Sequence, residues 1–132
     1  VAFIKPNQAE LEELAGRALP TRADVAAAAR GLCHDHGVRQ LAVSLGGQGA
    51  VIATANGCWH AAAPSVPVAT TVGAGDALVA GTLAALSQGQ PMPGAALFGM
   101  ACAAARIQRI APGLPPRREV DALAAAISAL PI

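Results

Sequence analysis

The sequence contains very few aromatic and few charged residues. Phe and Trp together make up 2% of its 132 residues, Tyr is absent, and hydrophobic residues make up 54%. A core built from this chain must consist of Ala, Val, Leu and Ile, which suits close packing of helices on a sheet. Charged residues make up only 13%, whereas about 25% is usual in a free-standing soluble domain. We therefore expect part of its surface to contact further protein.

A surplus of positive charge is also missing. Nine Lys and Arg residues stand against eight Asp and Glu residues, which gives a formal net charge of +1. No basic cluster is interleaved with aromatic residues, as it would be in a nucleic-acid-binding protein. The longest apolar run, 95–105, is shorter than the ~18 residues that span a bilayer, and no charged-then-apolar leader opens the chain. The sequence thus predicts a cytoplasmic protein without nucleic-acid or membrane partners.

Cysteine and histidine are scarce and scattered. The cysteines fit neither a disulfide framework nor the ligand spacing of a zinc site. They are Cys33, Cys58 and Cys102. The histidines share no ligand spacing either; they are His34, His36 and His60. We therefore predict buried cysteines in a reducing compartment and no cluster of direct protein ligands for a metal ion.

Strand-like and helix-like segments alternate along the chain. Short apolar runs predict strands at 1–4, 41–45, 50–54 and 58–62, and helical patterns cover 7–15, 21–37, 77–86, 94–107 and 120–130. The opening order of strand, helix, helix and strand favours an α/β fold with a mostly parallel sheet covered by helices. The prolines and glycine of 112–116 separate the last helix from the rest of the chain.

Two further patterns refine this fold. Asn56-Gly57 is a strong hairpin signal and predicts a small β-meander on the edge of the sheet. The helices at 77–86 and 94–107 are apolar nearly all the way round. Such helices are typical of protein interiors, so we predict that both are buried.

The segment Gly73-Ala74-Gly75-Asp76 joins an extended stretch to an apolar helix. Two glycines let backbone amides turn toward one point, and the first turn of a helix adds unpaired N–H groups and a positive dipole end, which together bind anions. A carboxylate beside such a cradle suits phosphoryl transfer, where catalysis is mostly positioning and charge stabilisation. The alternative is a tight strand-to-helix turn in which Asp76 only begins the helix.

Two other segments carry candidate site residues. Ser44-Leu45-Gly46-Gly47-Gln48-Gly49 follows a buried strand, at the sheet edge where ligands of α/β folds bind, but it also suits an ordinary connection between two strands. Asn7-x-x-Glu10 offers amide and carboxylate oxygens to hydrated magnesium, and its spacing fits a helix capping box equally well. Both alternatives stay open at this point.

Three motifs in this order resemble those of the ribokinase-like carbohydrate kinases, the phosphofructokinase B family. Lys5-Pro6-Asn7-x-x-Glu10-Leu11 is similar to the family's Asn-x-x-Glu region, and Ser44-Leu45-Gly46-x-x-Gly49-Ala50 to its nucleotide-loop strand. Thr71-Val72-Gly73-Ala74-Gly75-Asp76 is similar to its catalytic signature. The resemblance covers the whole chain. It implies the ribokinase-like fold, a Rossmann-type three-layer sandwich, of which residues 1–132 form the C-terminal portion.

The resemblance also implies roles for particular residues in an ATP- and Mg²⁺-dependent sugar-phosphate kinase. Asp76 is the base that deprotonates the accepting hydroxyl. The anion hole consists of Gly73, Ala74 and Gly75. The ATP-binding residues are Ser44, Gly46, Gly47, Gln48 and Gly49, joined by Gly75. Asn7 and Glu10 organise magnesium and phosphate.

Finer features favour one acceptor within the family. Ala15-Gly16-Arg17-x-Leu19-Pro20, Pro64-Ser65-Val66-x-Val68 and the Thr-Val form of the signature are most similar to members that convert fructose 1-phosphate to fructose 1,6-bisphosphate. Members that phosphorylate fructose 6-phosphate or tagatose 6-phosphate share these motifs. The resemblance therefore ranks the acceptors and leaves these two as alternatives.

The sequence also departs from the family pattern. We expect the family's N-terminal half, which holds the sugar and supplies the lid, to be absent from these residues, and 111–115 lacks the Thr often found in that late loop. We therefore predict a single domain over 1–132, the ATP-binding and catalytic part of a kinase that is inactive alone and a homodimer at full length. A nucleotide-binding fragment or assembly module without catalysis is the alternative from another class. A non-kinase Rossmann-like domain is disfavoured because no Gly-x-Gly-x-x-Gly opens a βαβ unit.

Overall fold

The computed structural model describes residues 3–110 and 114–132, which form two compact units. The first unit runs to Ala61 and takes up Ala129–Ile132 again, and the second is Ala62–Ser128. The first contains strands β1 (Phe3–Ile4), β2 (Gln40–Ser44), β3 (Ala50–Thr54), β4 (Gly57–Ala61) and β5 (Ala129–Pro131), with helices α1 (Gln8–Ala15) and α2 (Arg22–Asp35). The second contains helices α3 (Ala74–Ser87), α4 (Gly94–Ile107) and α5 (Arg117–Ala126).

The sheet of the first unit has the strand order β1-β2-β3-β4-β5. β1 and β2 are parallel because α1 and α2 cross over between them, and the other three pairs are antiparallel. The α/β class is confirmed, whereas the expectation of a mostly parallel sheet holds only for β1 and β2. Short turns join β2 to β3 and β3 to β4, and such turns can connect antiparallel neighbours only.

The predicted β-meander is present, but its second turn lies one residue earlier than the Asn-Gly signal indicates. Thr54 pairs with Gly57, so the two-residue loop is Ala55-Asn56. Gly57 is not among the glycines with positive φ, which a type I′ turn at Asn56-Gly57 would require. The Asn-Gly signal therefore indicates correctly that a hairpin forms here. The exact position of its turn is set by the pairing of β3 with β4.

Helices α1 and α2 begin where the sequence predicts and supply the core of the first unit. Asn7 and Thr21 are their N-caps, and Gly16 ends α1 in a left-handed conformation with φ 70°. The side chains of both helices meet the face of the sheet that carries Val43 and Val51. Fully buried members of this core are Leu11, Leu19, Val25, Ala29, Leu41, Val43, Val51 and Ala53.

Helices α3 and α4 approach each other closely through small residues. A Cβ atom on Gly99 would lie 2.5 Å from the Leu78 carbonyl oxygen, and one on Gly81 would lie 2.9 Å from the Gly99 Cα. Both helices were predicted to be buried, and for α3 this holds on one face only. Its buried residues share one face, while Leu83 is 47% exposed, because α4 covers only one side of α3.

The end of the chain differs most from the sequence analysis. The last helix is α5 at Arg117–Ala126, where 120–130 was predicted, and the strand β5 that follows it was missed. Residues 129–131 pair with Trp59, His60 and Ala61 of β4, and this long-range pairing outweighs the helical preference of Ala129 and Leu130. The predicted break at Pro112-Gly113 and the start of the first strand at Val1-Ala2 lie outside the described residues.

Over the described ranges, no helix combines the length and the apolar character that crossing a membrane requires.

We expect Gly99→Ala to destabilise the protein, because the new Cβ would force α3 and α4 apart. Overpacking of this kind costs about 1–3 kcal/mol. Gly31→Ala is the matched control, because Gly31 lies inside α2 and its Cβ would meet only the Asp35 carboxylate, at 3.9 Å. That change should stabilise by about 0.5–1 kcal/mol through helix propensity. Urea denaturation of both variants measures the two shifts, and equal shifts would contradict the close approach.

Candidate functional site

The segment Gly73–Asp76 forms the start of α3. Gly73 is the N-cap with φ 84° and ψ 0°, a left-handed conformation that favours glycine. Asp76 lies in the first helical turn and is exposed. The Ala77 amide donates to the Gly73 carbonyl at 2.9 Å, and the Ala74 amide donates to the Thr71 carbonyl at 3.3 Å. The structure thus places the predicted turn and the predicted carboxylate as the sequence indicates.

Two amides of this turn are open to an anion. Within residues 3–110 and 114–132, the backbone amides of Gly75 and Asp76 have no hydrogen-bond partner, and both residues are exposed. Unpaired N–H groups at a helix start carry the positive end of the helix dipole. Of the three residues predicted for the anion hole, Gly75 is the one whose amide is seen to be open, while the Ala74 amide already donates to the Thr71 carbonyl.

The chain that enters this turn is attached to the C-terminal end of α4. The Ile107 carbonyl accepts hydrogen bonds from the amides of Ala69, at 2.7 Å, and Thr70, at 3.1 Å. The Thr70 hydroxyl then accepts from the Val72 amide at 3.1 Å. These bonds fix the direction in which the chain approaches Gly73, and so the point at which α3 begins.

Arg106 lies against the turn and was not among the predicted site residues. A Cβ atom on Gly73 would lie 3.4 Å from Arg106 Nε, so the guanidinium borders the glycine directly. Its Nη1 donates to the Arg109 carbonyl at 2.7 Å. Arg109 in turn donates to both carboxylate oxygens of Glu119 on α5, which raises the pKa of Arg109. The signal in the sequence was a single arginine in an otherwise apolar helix.

Asn7 and Glu10 form a capping box at the start of α1. The Glu10 amide donates to Asn7 Oδ1 at 2.8 Å, and the Asn7 amide donates to Glu10 Oε1 at 2.9 Å. One of the two interpretations of this spacing is therefore observed. Both residues are exposed, and the bond through Oε1 leaves Glu10 Oε2 available to a further partner. The donor set fits a magnesium ion held through its water molecules better than one bound directly.

The first two motifs meet at the carboxyl ends of β1 and β2. Asn7 forms a parallel bridge with Ser44, and the Ser44 amide donates to the Pro6 carbonyl at 3.0 Å. Lys5 Nζ lies 3.4 Å from Ser44 Oγ. Because parallel strands end at the same sheet edge, the Asn-x-x-Glu segment and the glycine-rich segment start side by side, as ligand sites of α/β sheets require.

The glycine-rich segment is a single turn of 3₁₀ helix at Gly46–Gln48. The Gln48 amide donates to the Leu45 carbonyl at 3.2 Å, and the Leu45 amide donates to the Gly49 carbonyl at 2.8 Å. Gly46 and Gly49 have φ values of 59° and 89°. Gly46, Gly47 and Gln48 are exposed while Gly49 is buried. The tip of the turn is thus accessible to a ligand and its base is fixed to the sheet.

All three cysteines are free; Cys33 and Cys58 are buried, as predicted, whereas Cys102 is only partly buried. Burial raises the pKa of the thiols of Cys33, Cys58 and Cys102, so little reactive thiolate forms at neutral pH. In the part of the chain that the structure describes, no three His, Cys, Asp or Glu side chains are grouped closely enough to hold a metal ion.

Comparison with known proteins gives a consistent result. Residues 1–118 match the pfkB family carbohydrate kinases. The 1-phosphofructokinase of Escherichia coli K12 is 37% identical over 129 residues, which are 98% of this chain and 41% of the relative. The ATP-dependent 6-phosphofructokinase isozyme 2 of the same strain is 33% identical over 105 residues, 80% of this chain and 34% of the relative. The chain thus spans about two fifths of the length of the first of these relatives.

Solved structures agree with this assignment. Phosphofructokinase-2 from Escherichia coli, crystallised with substrates and products, superimposes with a TM-score of 0.88 at 29% identity, covering 96% of this chain and 41% of that one. Ribokinase from Thermotoga maritima superimposes with a TM-score of 0.79 at 30% identity, covering 93% and 42%. The ribokinase-like fold expected from the sequence is therefore confirmed.

The two capping boxes of the first unit provide a matched stability test. Thr21 and Asp24 make the same reciprocal bonds on α2 that Asn7 and Glu10 make on α1. We expect Asn7→Ala and Thr21→Ala each to lower the free energy of unfolding by about 1 kcal/mol, the usual value of an N-cap. Asn7→Asp should retain its cap. Thermal unfolding of the three variants checks this, and an unchanged stability of Asn7→Ala would show that its box contributes nothing.

Proposed function

Because this chain belongs to the pfkB family of carbohydrate kinases, we propose that it carries the catalytic part of an ATP-dependent kinase acting on a sugar phosphate. The observation that supports this most is the exposed Asp76 carboxylate in the first turn of α3, next to the amides of Gly75 and Asp76, which have no partner among the described residues. Fructose 1-phosphate is the proposed acceptor and fructose 1,6-bisphosphate the product, since 1-phosphofructokinase is 37% identical over nearly the whole chain.

Asp76 is the proposed general base. As the acceptor hydroxyl oxygen attacks the γ-phosphorus of ATP, its proton passes to the Asp76 carboxylate, the new P–O bond forms, and ADP leaves. Negative charge on the phosphoryl oxygens then faces the proposed anion hole of Gly73, Ala74 and Gly75, in which the Gly75 amide is the open donor while the Ala74 amide is bonded to the Thr71 carbonyl. Such fixed N–H dipoles stabilise charge that develops in the transition state without reorganising. Arg106 adds a positive charge beside Gly73.

The glycine-rich segment is the proposed nucleotide loop, with Ser44, Gly46, Gly47, Gln48 and Gly49 contacting ATP. Its exposed tip, Gly46 to Gln48, lets backbone atoms approach a ligand without interference from a Cβ at Gly46 or Gly47. The buried base at Gly49 anchors the loop to β3.

Asn7 and Glu10 are proposed to organise magnesium through its bound water. Magnesium supplies charge neutralisation of the phosphates when bound. Glu10 Oε2 can accept a hydrogen bond from a metal-bound water while Oε1 keeps its cap bond to the Asn7 amide. The capping box and the catalytic role are therefore compatible, because the box holds Glu10 in one orientation at the sheet edge.

Turnover is proposed to need more than these residues. The chain spans 41% of the length of its 1-phosphofructokinase relative, so the sugar-binding half and the lid would come from outside residues 1–132. We propose that the complete enzyme is cytoplasmic and acts as a homodimer. The three free cysteines accord with a reducing compartment.

Two alternatives are kept for specific reasons. The first concerns the acceptor: a 6-phosphofructokinase at 33% identity supports fructose 6-phosphate, and kinases that act on tagatose 6-phosphate share the same motifs. A nucleotide-binding or assembly module without catalysis is favoured by the exposed apolar side of α3, where Leu83 is 47% exposed. Sugar-dependent ADP release by the isolated chain and by the complete enzyme separates a module from a kinase, and nucleotide binding without ADP release in both would favour the module.

Asp76→Asn in the complete enzyme should reduce kcat by about 10²-fold or more, because the amide cannot accept the hydroxyl proton. KM for MgATP should change far less. Asp121→Asn is the matched control: it makes the same chemical change at an exposed residue of α5 whose carboxylate, within 3–110 and 114–132, pairs with Arg117 on its own helix and with no other residue. Coupled assays of ADP formation with each sugar phosphate measure both variants and rank the acceptors. Near-normal kcat in Asp76→Asn would remove Asp76 from the role of base.

The metal role is tested with the two capping-box variants. Asn7→Ala should raise the Mg²⁺ concentration needed for half-maximal rate, whereas Thr21→Ala, which loses an equivalent cap on α2, should leave it unchanged. A titration of rate against Mg²⁺ at saturating ATP measures this. Equal behaviour of the two variants would restrict Asn7 to capping.

A further inference from the structure

His60 is a buried polar side chain on an apolar face of the sheet. It lies in β4 directly opposite Val51, and it is 8% exposed. Its face of the sheet carries Val43 and Val51, which pack in the core beneath α1 and α2. Burying an imidazole among such residues costs free energy unless its nitrogen atoms find partners. The position therefore calls for a specific hydrogen bond.

That bond reaches the glycine-rich turn. His60 Nε2 lies 2.8 Å from the Gln48 carbonyl oxygen. A carbonyl oxygen only accepts, so the ring must carry its proton on Nε2 and donate it. Within the described part of the chain, this is the one side-chain hydrogen bond made to residues 46–49.

The bond fixes one peptide plane of the turn at both ends. The Gln48 carbonyl and the Gly49 amide belong to the same planar unit. The Gly49 amide donates to the Gly46 carbonyl at 3.1 Å, while the Gln48 carbonyl accepts from His60. Rotation of this plane would break both bonds. Without His60, two glycines with positive φ would leave the loop many alternative conformations.

We propose that His60 is a positioning residue for nucleotide binding, which holds the exposed tip at Gly46–Gln48 in the shape that contacts ATP. This rests on the proposed function, in which the glycine-rich segment is the nucleotide loop. His60 itself touches neither the nucleotide nor the reacting atoms. It acts through the Gln48 peptide.

The test compares His60→Leu with His60→Gln in the complete enzyme. Leu fills a similar volume without a donor, whereas the Gln side-chain amide can donate to the Gln48 carbonyl. We expect His60→Leu to raise KM for MgATP by about three- to tenfold, the range that one hydrogen bond allows. Its kcat and its KM for the sugar phosphate should stay near the parent values. His60→Gln should restore most of the affinity.

A second readout separates positioning from folding. Hydrogen exchange at the Gln48 and Gly49 amides should accelerate in His60→Leu, while the amides of β3 and α2 keep their protection. Thermal unfolding shows whether His60→Leu is folded. If it is not, the test relies on His60→Gln, and an ATP affinity of His60→Gln close to that of the parent enzyme supports the proposal. Equal ATP affinity in folded Leu and parent enzymes would overturn it. If the parent binds no ATP, the proposed function itself fails, which is a separate result.

Discussion

Hydrogen bonding of the backbone is the constraint on which both candidate loops depend. Each loop contains glycines with positive φ, Gly73 in one and Gly46 with Gly49 in the other. Such residues have many accessible conformations, so the loops need fixing from outside. The Ile107 carbonyl does this for the turn before α3, through the amides of Ala69 and Thr70. In the first unit, parallel pairing of β1 with β2 and the bond between His60 and Gln48 do the same for the glycine-rich turn.

The scarcity of aromatic residues explains how the elements that carry these loops pack. With glycine at the contact, two helices can approach closely, and α3 meets α4 where Gly81 and Gly99 leave no room for a Cβ atom. Close packing brings the C-terminal end of α4 against the chain that enters α3. Thr82, which is fully buried, turns its hydroxyl back to the Leu78 carbonyl at 2.7 Å and so adds no unpaired group to this contact. Small side chains therefore serve the geometry of the Gly73 turn as well as the core.

Local signals predicted most of this structure, and long-range pairing accounts for the remainder. Caps at Asn7 and Thr21 and the stop at Gly16 depend on neighbouring residues, so the sequence gives α1 and the start of α2 correctly. β5 depends on pairing with residues about seventy positions earlier, as the Leu130 and His60 pair shows, and no local pattern marks it. The contacts of Arg106 with Gly73 and of His60 with Gln48 were missed as well. Neither residue stands in a motif, and each contact depends on how two elements pack rather than on neighbouring residues.

The structural and catalytic interpretations of the candidate residues are linked by one physical fact. A helix start leaves its first amides without intrahelical partners, and the structure fills that need differently in two places. At α1 a capping box satisfies the amides of Asn7 and Glu10. At α3 the N-cap is Gly73, which has no side chain that could accept a hydrogen bond from the helix amides. Among the described residues, the amides of Gly75 and Asp76 therefore stay without a partner. Ser, Thr or Asn at a cap would gain only a few tenths of a kcal/mol over Gly, and the left-handed backbone at Gly73, with φ 84°, itself favours glycine there. The backbone conformation therefore accounts for the glycine. The lack of a capping side chain is what leaves the helix-start amides available to an anion.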